Sequence, residues 1–179
     1  MADPALAKRF ESLVLPHMNS AFNVARWLTH NDQDAQDVVQ EAYVRAFRFF
    51  SGFRGEDARA WLLSIVRNTF YTWHQQNRGH AADTTMFEED MHSLEVDQVE
   101  RDDSPEAMLI RSQSQKRVHQ ALRRLRLEYR EVVVLRELEE LSYKEIAAIV
   151  GIPMGTVMSR LGRGRQQLAM LLAPTDQEA

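Results

Sequence analysis

No cysteine occurs among the 179 residues. That one absence excludes disulfide frameworks, thiolate zinc sites, iron–sulfur clusters and cysteine nucleophiles together, and it fits a reducing compartment. Glycine and proline are scarce, at 7 and 5, which excludes collagen-like and linker-dominated chains. Long hydrophobic runs are missing as well. The longest apolar stretches, such as Val132-Val133-Val134-Leu135, are far too short to span a bilayer. The N-terminal run Met1 to Phe10 has no apolar core of signal-peptide length. The expectation is a cytoplasmic protein. No Gly-rich phosphate loop, His/Glu metal motif or nucleophile–base signature is present, and His74 and His80 are not spaced to share a helical face as metal ligands. An enzyme is therefore not expected, and no metal or cofactor is implied.

An excess of positive charge is also missing. The net charge is -4, which taken alone argues mildly against nucleic-acid binding. The charge is unevenly spread, however. Residues 1–82 carry 9 Lys+Arg against 8 Asp+Glu, and residues 111–179 carry 12 against 8. Residues 83–110 carry a single Arg, Arg101, against 10 acids. The negative charge thus belongs to the middle of the chain. The segment Asp83 to Asp103 lacks a sustained helical period and reads as a flexible acidic linker.

On both sides of it apolar residues recur at helical spacing, with no strand-like alternation. Helices are expected over about Pro4–Leu15, from Pro16 to Thr29, over Asp34–Phe50 and over Asp57–Asn77. The last has an inner stripe of Trp61, Leu62, Ile65, Val66, Phe70 and Trp73, in which both tryptophans are expected to be core. Four such helices make a compact bundle. Beyond the linker, Ser104-Pro105-Glu106 is a helix start with an N-cap hydroxyl, Pro at the first position and an acid in the first turn. Further helices are expected over Pro105–Leu125, Glu128–Leu138, Tyr143–Val150 and Met154–Leu172, with a frayed tail from Pro174. The fold class is all-α: two small helical domains, residues 1–82 and 105–179, joined by an acidic linker over residues 83–104.

Ser142 to Leu168 is the most informative stretch. Ser142-Tyr143-Lys144-Glu145 is a capping box, in which hydroxyl and carboxylate each satisfy an orphan backbone N–H. Ala147, Gly151 and Val157 have the spacing of a helix-turn-helix: a small residue under the crossing, a glycine free to turn left-handed, and an apolar lock. On the second helix Val157, Leu161, Gly164, Leu168 and Leu171 share an inward face, and Ser159, Arg163 and Gln166 lie opposite. Arg163 is the candidate for a bidentate contact to a guanine edge. Arg160 and Arg165, which flank it, suit phosphates.

Three motifs in order carry a family resemblance. The run Asp34-Ala35-Gln36-Asp37-Val38-Val39-Gln40-Glu41-Ala42-Tyr43-Val44-Arg45-Ala46-Phe47 resembles the polymerase-core-binding helix of sigma region 2. Ala60-Trp61-Leu62-Leu63-Ser64-Ile65-Val66-Arg67-Asn68 resembles the promoter-melting helix of the same region. Leu138 to Ala147, followed by Gly151 to Leu161, resembles region 4. The whole resembles a bacterial sigma-70-family factor of the extracytoplasmic function (ECF) type, over roughly residues 10–78 and 105–172.

The resemblance implies roles residue by residue. Asp37, Gln40, Glu41, Arg45 and Arg48 would grip the coiled coil of the largest RNA polymerase subunit. The loop Ser51–Gly55 and Asn68 match positions that hold a flipped base of the minus-10 element; Phe53 offers a stacking surface, Arg54 a phosphate partner and Asn68 a base-edge partner. Arg67 and Tyr71, with His74 and Arg78, form a stripe suited to a DNA backbone. Thr156, Ser159, Arg160, Arg163 and Arg165 would meet the minus-35 duplex. Region 4 would dock on the flap of the second-largest subunit through apolar surface around Leu122, Leu125 and Val133. The linker would thread toward the RNA exit path. The implied partners are RNA polymerase core, promoter DNA and an anti-sigma factor, without membrane insertion; the implied function is promoter-specific initiation, of stress or envelope-response genes. Relatives usually carry Lys or Arg where Met158 stands, a larger residue at Gly162 and Ala at Gly164. Two glycines inside a helix cost about 1 kcal/mol each relative to Ala, so the reading helix is expected to be weakened. Two other readings stay open on the residues alone: a helix-turn-helix regulator that acts without polymerase, and a protein-interaction adaptor that mimics a sigma factor.

Overall fold

The computed structural model describes residues 3–77 and 104–174. The acidic linker, Arg78 and the tail from residue 175 lie outside the described residues. The described residues form eight α-helices and no strand: α1 (Pro4–Leu13), α2 (Met18–Thr29), α3 (Asp32–Phe49), α4 (Ala58–Gln76), α5 (Pro105–Arg124), α6 (Leu127–Val133), α7 (Tyr143–Val150) and α8 (Met154–Leu172). None is long and apolar enough to cross a membrane.

Local chemistry sets most of the boundaries. Asp3 accepts the Ala5 N–H ahead of Pro4, and Asn31 accepts the Asp34 N–H, so that α3 begins two residues earlier than the periodicity suggests. Asp57 caps α4 and Ser104 caps α5; each such cap contributes about 1 kcal/mol. Both halves of the Ser142–Glu145 capping box are present, at 3.1 and 2.7 Å. Gly151 ends α7 at φ 74°, a left-handed turn that glycine adopts without steric cost. Two ends differ from expectation. Pro16 sits in a separate 3-10 turn, Leu15–His17, so α2 starts only at Met18. The helix expected over Glu128–Leu138 widens into a π turn at Val134–Leu138. There the Leu135 carbonyl accepts from the Leu141 N–H.

The N-terminal bundle packs α2, α3 and α4 around Val38, Ala42, Ala46, Phe50, Leu62, Leu63, Val66 and Phe70, all essentially solvent-free. Each large apolar side chain buried this way stabilises by about 1.5–3 kcal/mol. Phe10 of α1 closes the end of the bundle, edge-on to Phe47 and Phe50 with both ring centroids at 5.2 Å. Trp61 and Trp73 are half-buried against this core. The C-terminal unit centres on Val132, Leu141, Ile146, Val157 and Leu161.

The two glycines in the interior of α8, Gly162 and Gly164, turn out to be unlike. Around Gly162 a Cβ would meet nothing within 4 Å. A Cβ on Gly164 would lie 2.8 Å from Val133 Cγ2 and 3.3 Å from Tyr129 Cβ. Gly164 therefore lets α8 settle directly onto α6, and only Gly162 carries an uncompensated helix cost. Gly162→Ala is expected to stabilise the fold by about 1 kcal/mol. Gly164→Ala is expected to destabilise it by about 1–3 kcal/mol through overpacking. Urea denaturation of the two variants reads the opposite signs directly.

The two units touch each other. α4 packs on α7, and α2 packs on α6. This contact is not written in any periodicity, and it decides which functional side chains are free.

Candidate nucleic-acid interface

α3 presents a polar face because Ala35, Val38, Val39, Ala42 and Ala46 turn inward. Asp37, Gln40, Glu41 and Arg48 are exposed on its other side. Arg45 donates to Glu41 at 3.0 Å one helical turn away, a surface pair of modest energy that orders the face more than it stabilises it. The five residues assigned to this face thus lie along one open helix.

The loop after α3 is less open than the sequence suggests. Phe53 is only 6% exposed. Its ring lies 4.8 Å from that of Trp61 and stacks on Phe50 at 5.8 Å, and its carbonyl accepts from Arg9. Phe53 is corrected from an exposed stacking surface to core under the loop, because the 3-10 turn Phe50–Gly52 directs the chain back onto the bundle. Arg54 is exposed beside it, and Asn68 is exposed on α4.

Arg67 and Tyr71, one turn apart on α4, face the C-terminal unit. Arg67 donates to both carboxylate oxygens of Glu131, at 2.9 and 3.3 Å, and its guanidinium lies 4.4 Å from the centre of the Tyr71 ring. Glu131 raises the Arg67 pKa against the opposing effect of burial. Burial and the neighbouring Glu131 charge push the Tyr71 hydroxyl up to about 12. Two further contacts cross between the units near this pair. Arg59 of α4 donates to the carboxylate and the carbonyl of Glu139, at 2.6 and 2.7 Å. Arg130 of α6 donates to the Leu28 carbonyl in the last turn of α2 at 3.3 Å, where the helix dipole favours a cation. Burial lowers the Arg130 pKa to about 10, and burial beside Arg130 and Arg123 lowers His30 to about 3. Sequence reasoning missed Glu131 and Glu139. Both sit on helical or turn positions where an acid is ordinary, and only their burial marks them.

On α8, Val157, Leu161 and Gly164 are buried and Leu168 and Leu171 pack against the core. Ser159, Arg163 and Gln166 are exposed on the opposite side, Thr156 and Arg160 are half-buried, and Arg165 is exposed. Arg165 is tied to Glu137, with Nε donating at 2.7 Å. Met154 and Met158 are exposed on the same helix. The outward face of α8 expected from the sequence is therefore present and open. The apolar surface around Leu122, Leu125 and Val133 is not. All three residues are almost fully buried, Val133 beneath α8 at Gly164, so the expected flap-docking surface is corrected to interior.

Comparison with known proteins agrees with this arrangement. Residues 13–79 match the family model described as sigma-70 region 2, and residues 115–168 match sigma-70, region 4. The RNA polymerase sigma-H factor of Pseudomonas aeruginosa is 36% identical over 175 residues, covering 96% of this chain and 90% of that protein. The ECF RNA polymerase sigma-E factor of Haemophilus influenzae is 33% identical over 170 residues, covering 93% and 89%. Among solved structures, the sigma factor RpoE in complex with the anti-sigma factor NepR from Bartonella quintana superposes with a TM-score of 0.69 at 26% identity, covering 92% of this chain and 97% of that one. CnrH in complex with the cytosolic domain of CnrY gives 0.61 at 27% identity, covering 93% and 88%.

Proposed function

This chain belongs to the sigma-70 family, and from that premise we propose that it is an ECF-type promoter-recognition subunit of RNA polymerase. The observation that carries the reading is the pairing of regions 2 and 4 in order on one short chain, with an open reading face on α8. Residues 1–82 serve as region 2, residues 83–104 as connector and residues 105–179 as region 4. Region 2 docks on core through Asp37, Gln40, Glu41, Arg45 and Arg48. Arg54, Arg67, Asn68 and Tyr71 then hold the melted minus-10 strand, whose phosphates suit the two arginines and whose base edges suit the amide. Thr156, Ser159, Arg160, Arg163 and Arg165 meet the minus-35 duplex, with α8 in the major groove.

The chain itself performs no catalysis; its action is positioning of DNA for the polymerase. It works in the cytoplasm, where core enzyme and promoter are found. Two structural neighbours are held by an anti-sigma factor or by the cytosolic domain of a second protein, which supports control by such a partner, with stress or envelope-response genes as the output. A helix-turn-helix regulator independent of polymerase is not favoured, since relatives matched over nearly the whole chain are named sigma factors.

Core docking has its own test. Asp37 is exposed on the α3 face, so Asp37→Arg reverses a charge without disturbing the core. Binding to core polymerase, measured by fluorescence anisotropy, is expected to weaken about tenfold. Unchanged affinity would remove α3 from the interface.

A further inference from the structure

The contact between the two units covers part of the strand-holding face of α4 with acid. Glu131 and Glu139, with side chains 2% and 7% exposed, come from the C-terminal unit. Their partners Arg67 and Arg59 come from α4 and retain some exposure. The geometry at Arg67 is a bidentate carboxylate fork, the same donor set that a guanidinium offers to a phosphate. Arg130 adds a third crossing bond, to the Leu28 carbonyl, and the Trp27 and His119 rings lie against each other at 4.4 Å. Buried ion pairs hold a geometry more than they stabilise it, because desolvation offsets most of the attraction. A closure built on them yields to a stronger anionic competitor.

We propose that Glu131 is an internal stand-in for a promoter phosphate: it holds Arg67 in a closed form of the free protein, and the single-stranded DNA backbone displaces it. The proposal rests on the assignment of Arg67 to the melted strand. It makes strand capture and closure of the two units mutually exclusive at one guanidinium. The free protein is then shielded from indiscriminate binding to single strands, and opening exposes Arg67 and Tyr71 together.

The absence of native cysteine makes the test direct. Glu11→Cys and Gln167→Cys, both on exposed positions of opposite units, accept a donor and an acceptor dye. Energy transfer reads closure, and anisotropy of a labelled random-sequence single-stranded oligonucleotide reads capture. Glu131→Gln, nearly isosteric, is expected to lower transfer and to tighten oligonucleotide binding about three- to tenfold. Glu106→Gln, an exposed acid lost elsewhere, controls for net charge and is expected to change neither. The exchange Arg67→Glu with Glu131→Arg is expected to restore closure while leaving capture weak, which a merely structural role for the pair does not give. Unchanged transfer and unchanged binding in Glu131→Gln overturn the proposal. Opening without tighter binding overturns the competition. If Arg67→Ala then also leaves promoter transcription intact, the strand assignment of Arg67 falls with it; if Arg67→Ala abolishes transcription, that assignment stands and only the role of Glu131 fails.

Discussion

The substitution Asn68→Ala is expected to slow promoter opening by about tenfold to a hundredfold while core affinity changes by less than about twofold. Asn68 is exposed on α4 beside Arg67, and its amide carries donors and an acceptor for a base edge. Among the described residues its side-chain amide has no hydrogen-bond partner; beyond the helix's own backbone bonds, its carbonyl accepts from the Thr72 hydroxyl at 3.1 Å. Nothing among the described residues depends on the side chain, so its removal is expected to leave α4 and the bundle unchanged. The loss falls on the melted strand alone. Two base-edge hydrogen bonds at about 0.7–1.4 kcal/mol each give this range. Permanganate reactivity of the melted region, followed in time, measures it. Equal loss of core binding and opening would remove the assigned role, since that pattern marks a damaged fold.

The second large effect is on specificity. Arg163→Ala is expected to abolish a guanine preference at one minus-35 position, a loss of about 1–3 kcal/mol in discrimination. Arg163 is exposed on the open face of α8, opposite the buried Val157 and Leu161. Arg160→Ala, by contrast, is expected to weaken all sequences about equally, because a phosphate contact carries no base information. Selection from a promoter pool randomised at minus-35 separates the two. An Arg163→Ala variant that selects the same sequences as the parent assigns guanine recognition to another side chain.

Much of the fold was legible because its signals are local. The Ser104 cap and the Ser142–Glu145 box need only a few neighbouring residues to act. The inward stripe of α8 follows from helical period and survives in the structure at Val157, Leu161 and Gly164. What depended on distant partners was not legible. Gly164 reads as a weak helix position until Val133 is placed 2.8 Å from its would-be Cβ. Phe53 reads as a free ring in a glycine-flanked loop until Trp61 and Phe50 enclose it. Leu122, Leu125 and Val133 read as a docking patch because apolar residues on short helices look alike whether they face a partner or their own core. Glu131 is the strongest case. Its sequence context, Arg130-Glu131-Val132, gives no sign that its carboxylate meets an arginine 64 positions earlier.

The net charge of -4 no longer argues against nucleic acid. Acids outnumber bases in the connector, while the α8 face keeps Arg160, Arg163 and Arg165. Within the described residues, some acids are also spent on these arginines: Glu137 holds Arg165 and Glu131 holds Arg67. On the proposed function, a free protein with its cations partly engaged is expected to bind DNA weakly and to gain promoter affinity inside the polymerase complex.

Transcription in vitro with purified core polymerase on a promoter library tests the central claim most directly. The account predicts discrete transcripts from a subset of promoters sharing minus-35 and minus-10 elements, dependent on both core and this protein, and no footprint by the protein alone. A footprint on duplex DNA without core, with no promoter firing, would contradict it.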